Sequence, residues 1–522
     1  MILDVAGSNP VGRPNRPHDK LPGSEMHDLV PRDELALLNC AEMARADAFA
    51  IAGGVPGRVL MEAAGSAVAA SVMLRYARRP VLVLCGPGNN GGDGFVAARR
   101  LQMAGWPVRV VLFGAVPSLK GDAAWAAGTW AGPVDRWSSA MLDDEPLVID
   151  AIFGAGLGRP IEGEIASAIE AVNARKPPVV AVDVPSGLHG DTGEVLGAAL
   201  EAETTVSFFR AKPGHYAVEG LRRCGRLQIA DIGIPAKALT EIAPRVWLNG
   251  PALWAHVLRR DDIADHKYAR GHLTILAGAH ATGAARLAAL AGRRVGAGLV
   301  TIAAFRSTLP AFQAAEPGNL VVEADDGAMF AHLLGDERRN AVLVGPGSGT
   351  GDRTREAVLA ALDARRSVVL DADALTVFAA DPKLLFRRVR GPTLLTPHEG
   401  EFRRLFPDLG GRQGKLERVR EAASRSGATV LLKGPDTVIA EPDGRAVINV
   451  HASPVLATAG SGDVLAGLIG GLLAQGVTPF AAASAAAWLH GDCARSFGGR
   501  GLIAEDLPAL LPRALQSVSS FN

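Results

Sequence analysis

Ten residues in the first hundred combine residue types from which binding sites are made: Cys85-Gly86-Pro87-Gly88-Asn89-Asn90-Gly91-Gly92-Asp93-Gly94. They follow the apolar run Val81–Leu84, which reads as a buried strand, and precede Phe95–Leu101, which reads as a helix. Glycines between a strand and a helix let backbone N–H groups approach an anion at the positive end of the helix dipole. The pattern is neither Gly-x-Gly-x-x-Gly nor a Gly-Lys-Ser/Thr phosphate loop, because no lysine follows the glycines. Two asparagines and an aspartate instead offer amide and carboxylate oxygens, which could take a ribose, an amide or a hard cation. Two more strand ends repeat the theme. Leu147–Ile149 closes at Asp150, ahead of Gly154-Ala155-Gly156-Leu157-Gly158-Arg159, and Val179–Val182 closes at Asp183, ahead of Pro185-Ser186-Gly187. One such aspartate would be an ordinary helix cap; three on one edge of a sheet read as a site.

The second half carries a different chemistry. In Ala457-Thr458-Ala459-Gly460-Ser461-Gly462-Asp463, two glycines free the N–H groups at the start of a helix to hold a transferring phosphoryl group. Asp463, in the first turn, is placed to take a proton from an attacking hydroxyl. Gly345-Pro346-Gly347-Ser348-Gly349 is a second anion-friendly turn, and Thr396-Pro397-His398-Glu399-Gly400-Glu401 puts a histidine and two glutamates at another strand end. Lys433-Gly434-Pro435-Asp436-Thr437 closes the strand Val430–Leu432 with a lysine suited to a nucleotide phosphate. Only nine of the 54 basic residues are lysines, so one inside a motif carries weight. Asp371 and Asp373 close Val368–Leu370 and could serve either Mg²⁺ or the local structure.

The elements that must position these residues are legible as alternating apolar runs and helical stretches. Val81–Leu84, Val108–Leu112, Leu147–Ile149, Val179–Val182, Thr204–Phe208 and Arg226–Ile229 predict a parallel sheet buried on both faces. Helices are expected over Asp33–Ala50 and Val59–Tyr76. A second α/β series starts at Leu273–Leu276 and continues through Leu299–Ala303, Ala341–Val344, Val368–Leu370, Thr393–Leu395 and Val430–Leu432. A hairpin is expected over Thr437–Ala440 and Ala446–Asn449, then helices over Ser461–Ala474, Pro479–Ala494 and Ala504–Leu515. In such sheets ligands collect at the carboxyl ends of the strands. The expected fold class is α/β, in two domains. The expected organisation is a disordered extension over residues 1–25, a domain over 26–240, a linker over 241–262 and a domain over 263–522. With 522 residues the chain exceeds one ordinary core.

Composition excludes several classes. Fifty-four basic and 54 acidic residues balance, so no nucleic-acid or membrane partner is expected. Cys40, Cys85, Cys224 and Cys493 lack metal spacing and point to a reducing compartment, the cytoplasm. The uncharged run Val464–Gly491 is interrupted by Gln475, Thr478 and Pro479 and reads as two buried helices rather than a membrane span.

The first half resembles the NAD(P)H-hydrate epimerase family through the intact Gly86–Gly94 signature and the Asp150…Gly154–Arg159 and Asp183–Gly187 motifs. The second half is similar to the ADP/ATP-dependent NAD(P)H-hydrate dehydratases, a branch of the ribokinase-like fold, so the resemblance implies an N-terminal Rossmann-like αβα sandwich and a C-terminal ribokinase-like α/β domain. His266-Lys267, Gly283-Ala284, Gly345–Gly347, Asp371–Asp373, Thr396–His398, Lys433-Gly434 and Gly460–Asp463 stand in family order. The resemblance implies repair of hydrated NADH and NADPH: epimerisation of the R and S forms at C6, then ADP-driven dehydration of the S form, giving AMP and phosphate.

It also implies roles. Asn90, Asp150 and Ser186 would coordinate K⁺. Asn89, Asn90, Gly91, Gly92, Asp93, Gly154, Ala155, Gly156, Leu157, Gly158, Arg159, Pro160 and Asp183 would contact the hydrated cofactor, with Asp183 as the acid/base group and Lys212 on a phosphate. In the second half Ala284, Gly347, His398 and Asp463 would contact the hydrate. Lys433, Gly434, Pro435, Asp436, Thr437 and Gly462 would contact ADP, Mg²⁺ would neutralise phosphates, and Asp463 would be the catalytic base. The small-molecule substrates would be the hydrates and ADP, and a homo-oligomer is the expected state. One departure concerns Gly278-Ala279-His280-Ala281-Thr282, where family members carry a serine and an aromatic residue. Two other readings are a small-molecule kinase of the ribokinase-like group and a cofactor-sensing binding protein.

Overall fold

Unbroken apolar runs too short for helices settle into two sheets, one parallel and one mostly parallel, whose central strands are buried on both faces. The computed structural model describes residues 32–519 apart from 261, 264 and 411–413. The extension expected over residues 1–25 lies outside the described residues. The first sheet contains β1 (Val81–Cys85), β2 (Val108–Leu112), β3 (Val134–Asp135), β4 (Leu147–Ala151), β5 (Val179–Val182), β6 (Thr204–Phe208) and β7 (Arg226–Ala230). All its pairings are parallel, in the order β3-β2-β1-β4-β5-β6-β7. Separate apolar clusters cover its two faces, one around Val83, Phe95 and Ile149, the other around Leu84, Val148 and Ile169.

The second sheet contains β8 (Val246–Leu248), β9 (His272–Leu276), β10 (Leu299–Ala304), β11 (Leu320–Glu323), β12 (Ala341–Val344), β13 (Ser367–Leu370), β14 (Thr393–Leu395), β15 (Thr429–Leu432), β16 (Thr437–Ala440) and β17 (Ala446–Asn449). Its order is β11-β10-β9-β12-β13-β14-β15-β16-β17-β8. The pairing is parallel from β11 to β15 and antiparallel across β15-β16-β17, which is the expected hairpin. Strand order reverses between β1 and β4 in one sheet and between β9 and β12 in the other. Ligands bind at such reversals.

Several boundaries differ from the sequence expectation for identifiable reasons. The helix expected over Asp33–Ala50 is a 3₁₀ turn, Arg32–Leu35, then an extended segment, then a helix over Cys40–Ala52. Asn39 caps that helix through the Glu42 N–H while Glu42 reaches back to the Asn39 N–H, a reciprocal capping box. The extended segment is held from afar: Ala36 bridges Trp247, and the Leu37 N–H donates to Val246 O at 2.9 Å. The stretch 241–262, expected as a linker, carries β8, which pairs parallel with β17. The helix after β1 begins at Asn89 rather than Phe95, so most of the asparagine–glycine motif is helical. Glycine is required there by contact: a Cβ at Gly91 would stand 1.9 Å from Gly86 O, and one at Gly94 2.5 Å from the Ala151 Cβ.

The run Val464–Gly491 forms parts of two buried helices, Ser461–Ala474 and Pro479–Phe497, as expected. Among the described residues only the helix Gly57–Arg75 is long and apolar enough to cross a membrane; its Leu60, Ala64, Val68 and Val72 pack into the core.

Candidate active sites

The first site lies where β1, β4 and β5 end. Asp150 is fully buried at the end of β4, and its carboxylate accepts from Ser186 Oγ at 2.5 Å, the Ser186 N–H at 2.7 Å and the Ile152 N–H at 3.3 Å. Burial pushes its carboxyl up to about 6, against those three donors. This knot ties the β4 end to the turn after β5, and the Ser186 Oγ also accepts the Phe153 N–H at 2.8 Å. Asn90 is bonded elsewhere. With its amide nitrogen turned to Val182 O (3.1 Å), its oxygen accepts from the Gly154 N–H (3.3 Å).

Asp183 is the most constrained residue of the site. Its φ of 65° is a left-handed conformation that a non-glycine residue holds only when its surroundings impose it. Those surroundings are explicit. The Lys212 Nζ donates to Asp183 Oδ1 at 2.6 Å, Ser207 Oγ donates to the same oxygen at 3.0 Å, and the Ala155 N–H donates to Oδ2 at 2.9 Å. The backbone carbonyl of Asp183 is 2.9 Å from His215 Nε2. His215 Nδ1 accepts the Lys212 N–H at 3.0 Å, so Nε2 carries the proton and donates. Burial, then the Lys212 charge, pushes His215 down to about 4 and keeps it neutral. Burial alone would raise Asp183, but the Lys212 charge and hydrogen bond with the Ala155 N–H hold it down at about 2. Asp183 is a fixed carboxylate, which argues against the acid/base role expected of it.

Asp93 is the opposite case. It is 9% exposed, and no hydrogen bond or ion pair reaches its carboxyl among the described residues. Burial, then the Asp183 and Asp47 charges, pushes it well above the ordinary carboxylate range. Asp47, on the helix Cys40–Ala52, is itself raised to about 6, chiefly by burial. The remaining expected contacts divide. Asn89, Gly156, Gly158, Arg159 and Pro160 are exposed around the site, and Gly91 and Gly92 are buried beneath it. Leu157 is 7% exposed and packs into a core cluster, so its side chain faces away from a ligand. Lys212, expected on a phosphate, is 1% exposed and committed to Asp183.

The second site is built around the N-terminus of the helix Ser461–Ala474. Gly460 is left-handed at φ 87°, opening the turn that aims the first N–H groups outward. Lys433 Nζ would lie 3.8 Å from a Cβ built on Gly462, so its ammonium stands directly beside that helix end. The same ammonium donates to Asp371 Oδ1 at 2.8 Å. Burial, then Asp371, pushes Asp463 up to about 6, with Lys433 opposing. Asp373 Oδ2 accepts the Gly349 N–H at 2.8 Å and pins the Gly345–Gly349 turn. Asp371 and Asp373, considered for Mg²⁺, are thus each committed within the protein.

Ala284 and Gly347 meet, since a Cβ on Gly347 would stand 3.2 Å from the Ala284 Cβ. His398 caps the helix Glu399–Leu405: its Nδ1 accepts the Gly400 N–H at 2.9 Å while Glu401 accepts the His398 N–H. Its Nε2 stands 3.3 Å from Glu401 Oε1, so both ring nitrogens have partners, while the side chain as a whole remains 56% exposed. In the 433–437 turn, Gly434 and Thr437 bond one another, Gly434 and Pro435 are exposed, and Asp436 is buried against Lys415 Nζ at 2.7 Å. Asp436 therefore shapes the turn through Lys415. Lys415 was missed in the sequence, where it belongs to no motif; its scarcity as a lysine was the one signal. Ser207 and His215 were missed because only the fold brings them to Asp183.

Two family profiles match, one described as NAD(P)H-hydrate dehydratase over residues 273–516 and one as YjeF-related protein N-terminus over 57–214. The "Bifunctional NAD(P)H-hydrate repair enzyme Nnr" of Salinibacter ruber is 37% identical over 519 residues, covering 91% of this chain and 95% of the relative. The enzyme of that name from Moorella thermoacetica is also 37% identical, covering 92% and 97%. Among solved structures, the ADP/ATP-dependent NAD(P)H-hydrate dehydratase of Bacillus subtilis, co-crystallised with ATP and Mg²⁺, is 32% identical. It covers 50% of this chain and 95% of its own, with a TM-score of 0.46. With 37% identity over nearly the full length of these relatives and both halves matched in order, the chain belongs to the family of bifunctional NAD(P)H-hydrate repair enzymes.

Proposed function

We propose that this chain repairs hydrated NADH and NADPH in two steps, with epimerisation assigned to residues 26–240 and ADP-driven dehydration to residues 263–522. The observation that carries the second step is the Lys433 ammonium beside Gly462 at the N-terminus of the helix bearing Asp463. A phosphoryl group seated there meets helix N–H groups and a cation, and Asp463 stands in the first turn to take the proton of the C6 hydroxyl. Hydroxide leaves poorly and phosphate leaves well, so phosphorylating C6–OH lets the ring regain its double bond. The turn Lys433–Thr437 would cradle the nucleotide, with Ala284, Gly347 and the exposed His398 ring toward the hydrate. Mg²⁺ fits best as an ion carried on the phosphates, because Asp371 and Asp373 already hold Lys433 and Gly349. When bound it supplies charge neutralisation.

In the first site Asp183, a permanent carboxylate, would stand against positive charge developing in the ring. Potassium fits the oxygen donors of this edge. Asn90 and Ser186 offer it an amide and a hydroxyl oxygen beside the Asp150 carboxylate. Asp150, already bonded to Ser186, would support that site. Replacing K⁺ by tetramethylammonium should slow epimerisation and leave dehydration of pure S hydrate unchanged; equal epimerisation in both salts would remove K⁺ from the scheme. The free cysteines fit a cytoplasmic setting, and sedimentation tests the expected homo-oligomer.

A mixed R/S hydrate assay with ADP and Mg²⁺ tests the whole reading. Wild type should restore the dihydronicotinamide absorbance completely. Asp463→Ala should restore none, and Asp183→Ala should stall once the S form is consumed. A stable phosphorylated alcohol with no recovered absorbance would instead indicate a kinase.

A further inference from the structure

The first site holds two carboxyl groups in opposite circumstances, and the difference has a chemical use. Asp183 has its charge fixed by Lys212, Ser207 and the Ala155 N–H. Asp93 is nine-tenths buried with no partner among the described residues. It lies three residues beyond Asn90 on the helix Asn89–Met103, and so on the same helix face. Asn90 reaches Gly154 and the carbonyl of Val182, directly before Asp183. The lack of a Cβ at Gly94, which would stand 2.5 Å from the Ala151 Cβ, lets this helix close onto the β4 end next to Asp93.

We propose that Asp93 is the catalytic proton carrier of epimerisation and that Asp183 is the fixed counter-ion, a division that rests on the first site being the epimerase. In the hydrated ring, Asp93 gives its proton to the C6 hydroxyl. The C6–O bond breaks, water leaves, and the N1 electron pair forms N1=C6. Asp93 is now a carboxylate and the ring a cation, stabilised by Asp183. Water then adds to C6 from either face, the N1=C6 electrons return to N1, and the released proton returns to Asp93. Addition to the opposite face gives the epimer, and atoms and charge balance with no further reactant. The surroundings of Asp93 divide the two roles: burial, then the Asp183 and Asp47 charges, favours the protonated form that the first step uses. Lys212, buried against Asp183, keeps the counter-ion charged throughout. Pairs of carboxyls driven apart in this way recur where one serves as acid and the other as charge.

The test uses the full chain with purified R hydrate, following appearance of the S form. Asp93→Asn should lower kcat for interconversion by about 10²- to 10⁴-fold, down to the spontaneous rate, with KM little changed. ADP-driven dehydration of S hydrate by the same protein should match wild type, and thermal unfolding reports whether the first domain remains folded. Asp93→Ser repeats the comparison with a smaller side chain. If wild type interconverts the hydrates and either variant keeps kcat within tenfold, or if the loss falls on KM alone, Asp93 is only a binding residue and the proposal is overturned. If wild type itself fails to interconvert them, the epimerase reading falls instead.

Discussion

Both halves of the molecule place glycine turns where a parallel sheet reverses its strand order, after β1 and β4 in one and after β9 and β12 in the other. Yet their lysines do opposite things. In the first half Lys212 is spent on the reactive-edge carboxylate itself, so Asp183 is locked at about 2. In the second, Lys433 pairs with Asp371 and leaves Asp463 near 6, poised to gain or lose a proton. The shared topology says where ligands bind, and the placement of one ammonium decides whether the nearby carboxylate is a charge or a base.

The strongest way to break this comparison is Asp463→Asn. Dehydration should lose about 10²- to 10⁴-fold in kcat, read from absorbance recovery with pure S hydrate and ADP, while R/S interconversion is unaffected. An effect on both reactions would mean the sites are not independent. Next comes Lys212→Met, which leaves the Asp183 carboxylate, 16% exposed, without its cation and held only by Ser207 and the Ala155 N–H. Removing one partner of such a pair costs about 3–5 kcal/mol, measured by denaturant unfolding of the first domain, and epimerisation should fall with it. The matching change Lys433→Met should show as a raised KM for ADP with smaller loss of stability, since Lys433 is more exposed than Lys212. Ser186→Ala cuts the knot on Asp150 and should cost about 1–3 kcal/mol by the same unfolding measurement.

The smallest effect is the response to one pH unit. Asp463 must be ionised to act as base, so dehydration kcat should fall about tenfold per unit as pH drops below about 6. The stability supplied by Asp183 has a depressed carboxyl as its source. It is fully present above the ordinary aspartate value of 3.8 and is lost only as pH falls through about 2. Acid should therefore silence dehydration well before it loosens the Asp183–Lys212 pair. Simultaneous loss of both would overturn the contrast.

The sequence alone determined the two-domain α/β organisation and most of the strands, though not β3, β8 or β11, and it singled out the glycine motifs and Asp463 as candidates. Each of these is local: an apolar run of strand length, a glycine pair opening a helix, an aspartate in its first turn. The helix expected over Asp33–Ala50 failed because Ala36 and Leu37 are claimed by Trp247 and Val246, some 210 residues later. The linker reading of 241–262 failed likewise, since β8 is defined by its pairing with β17. What only the tertiary structure decided is charge. Lys212 looks like a phosphate contact until the fold buries it on Asp183, and Asp93 looks like any motif aspartate until it is found buried with no partner among the described residues. A side chain's protonation depends on which distant residues share its low-dielectric surroundings, and spacing along the chain carries no information about that.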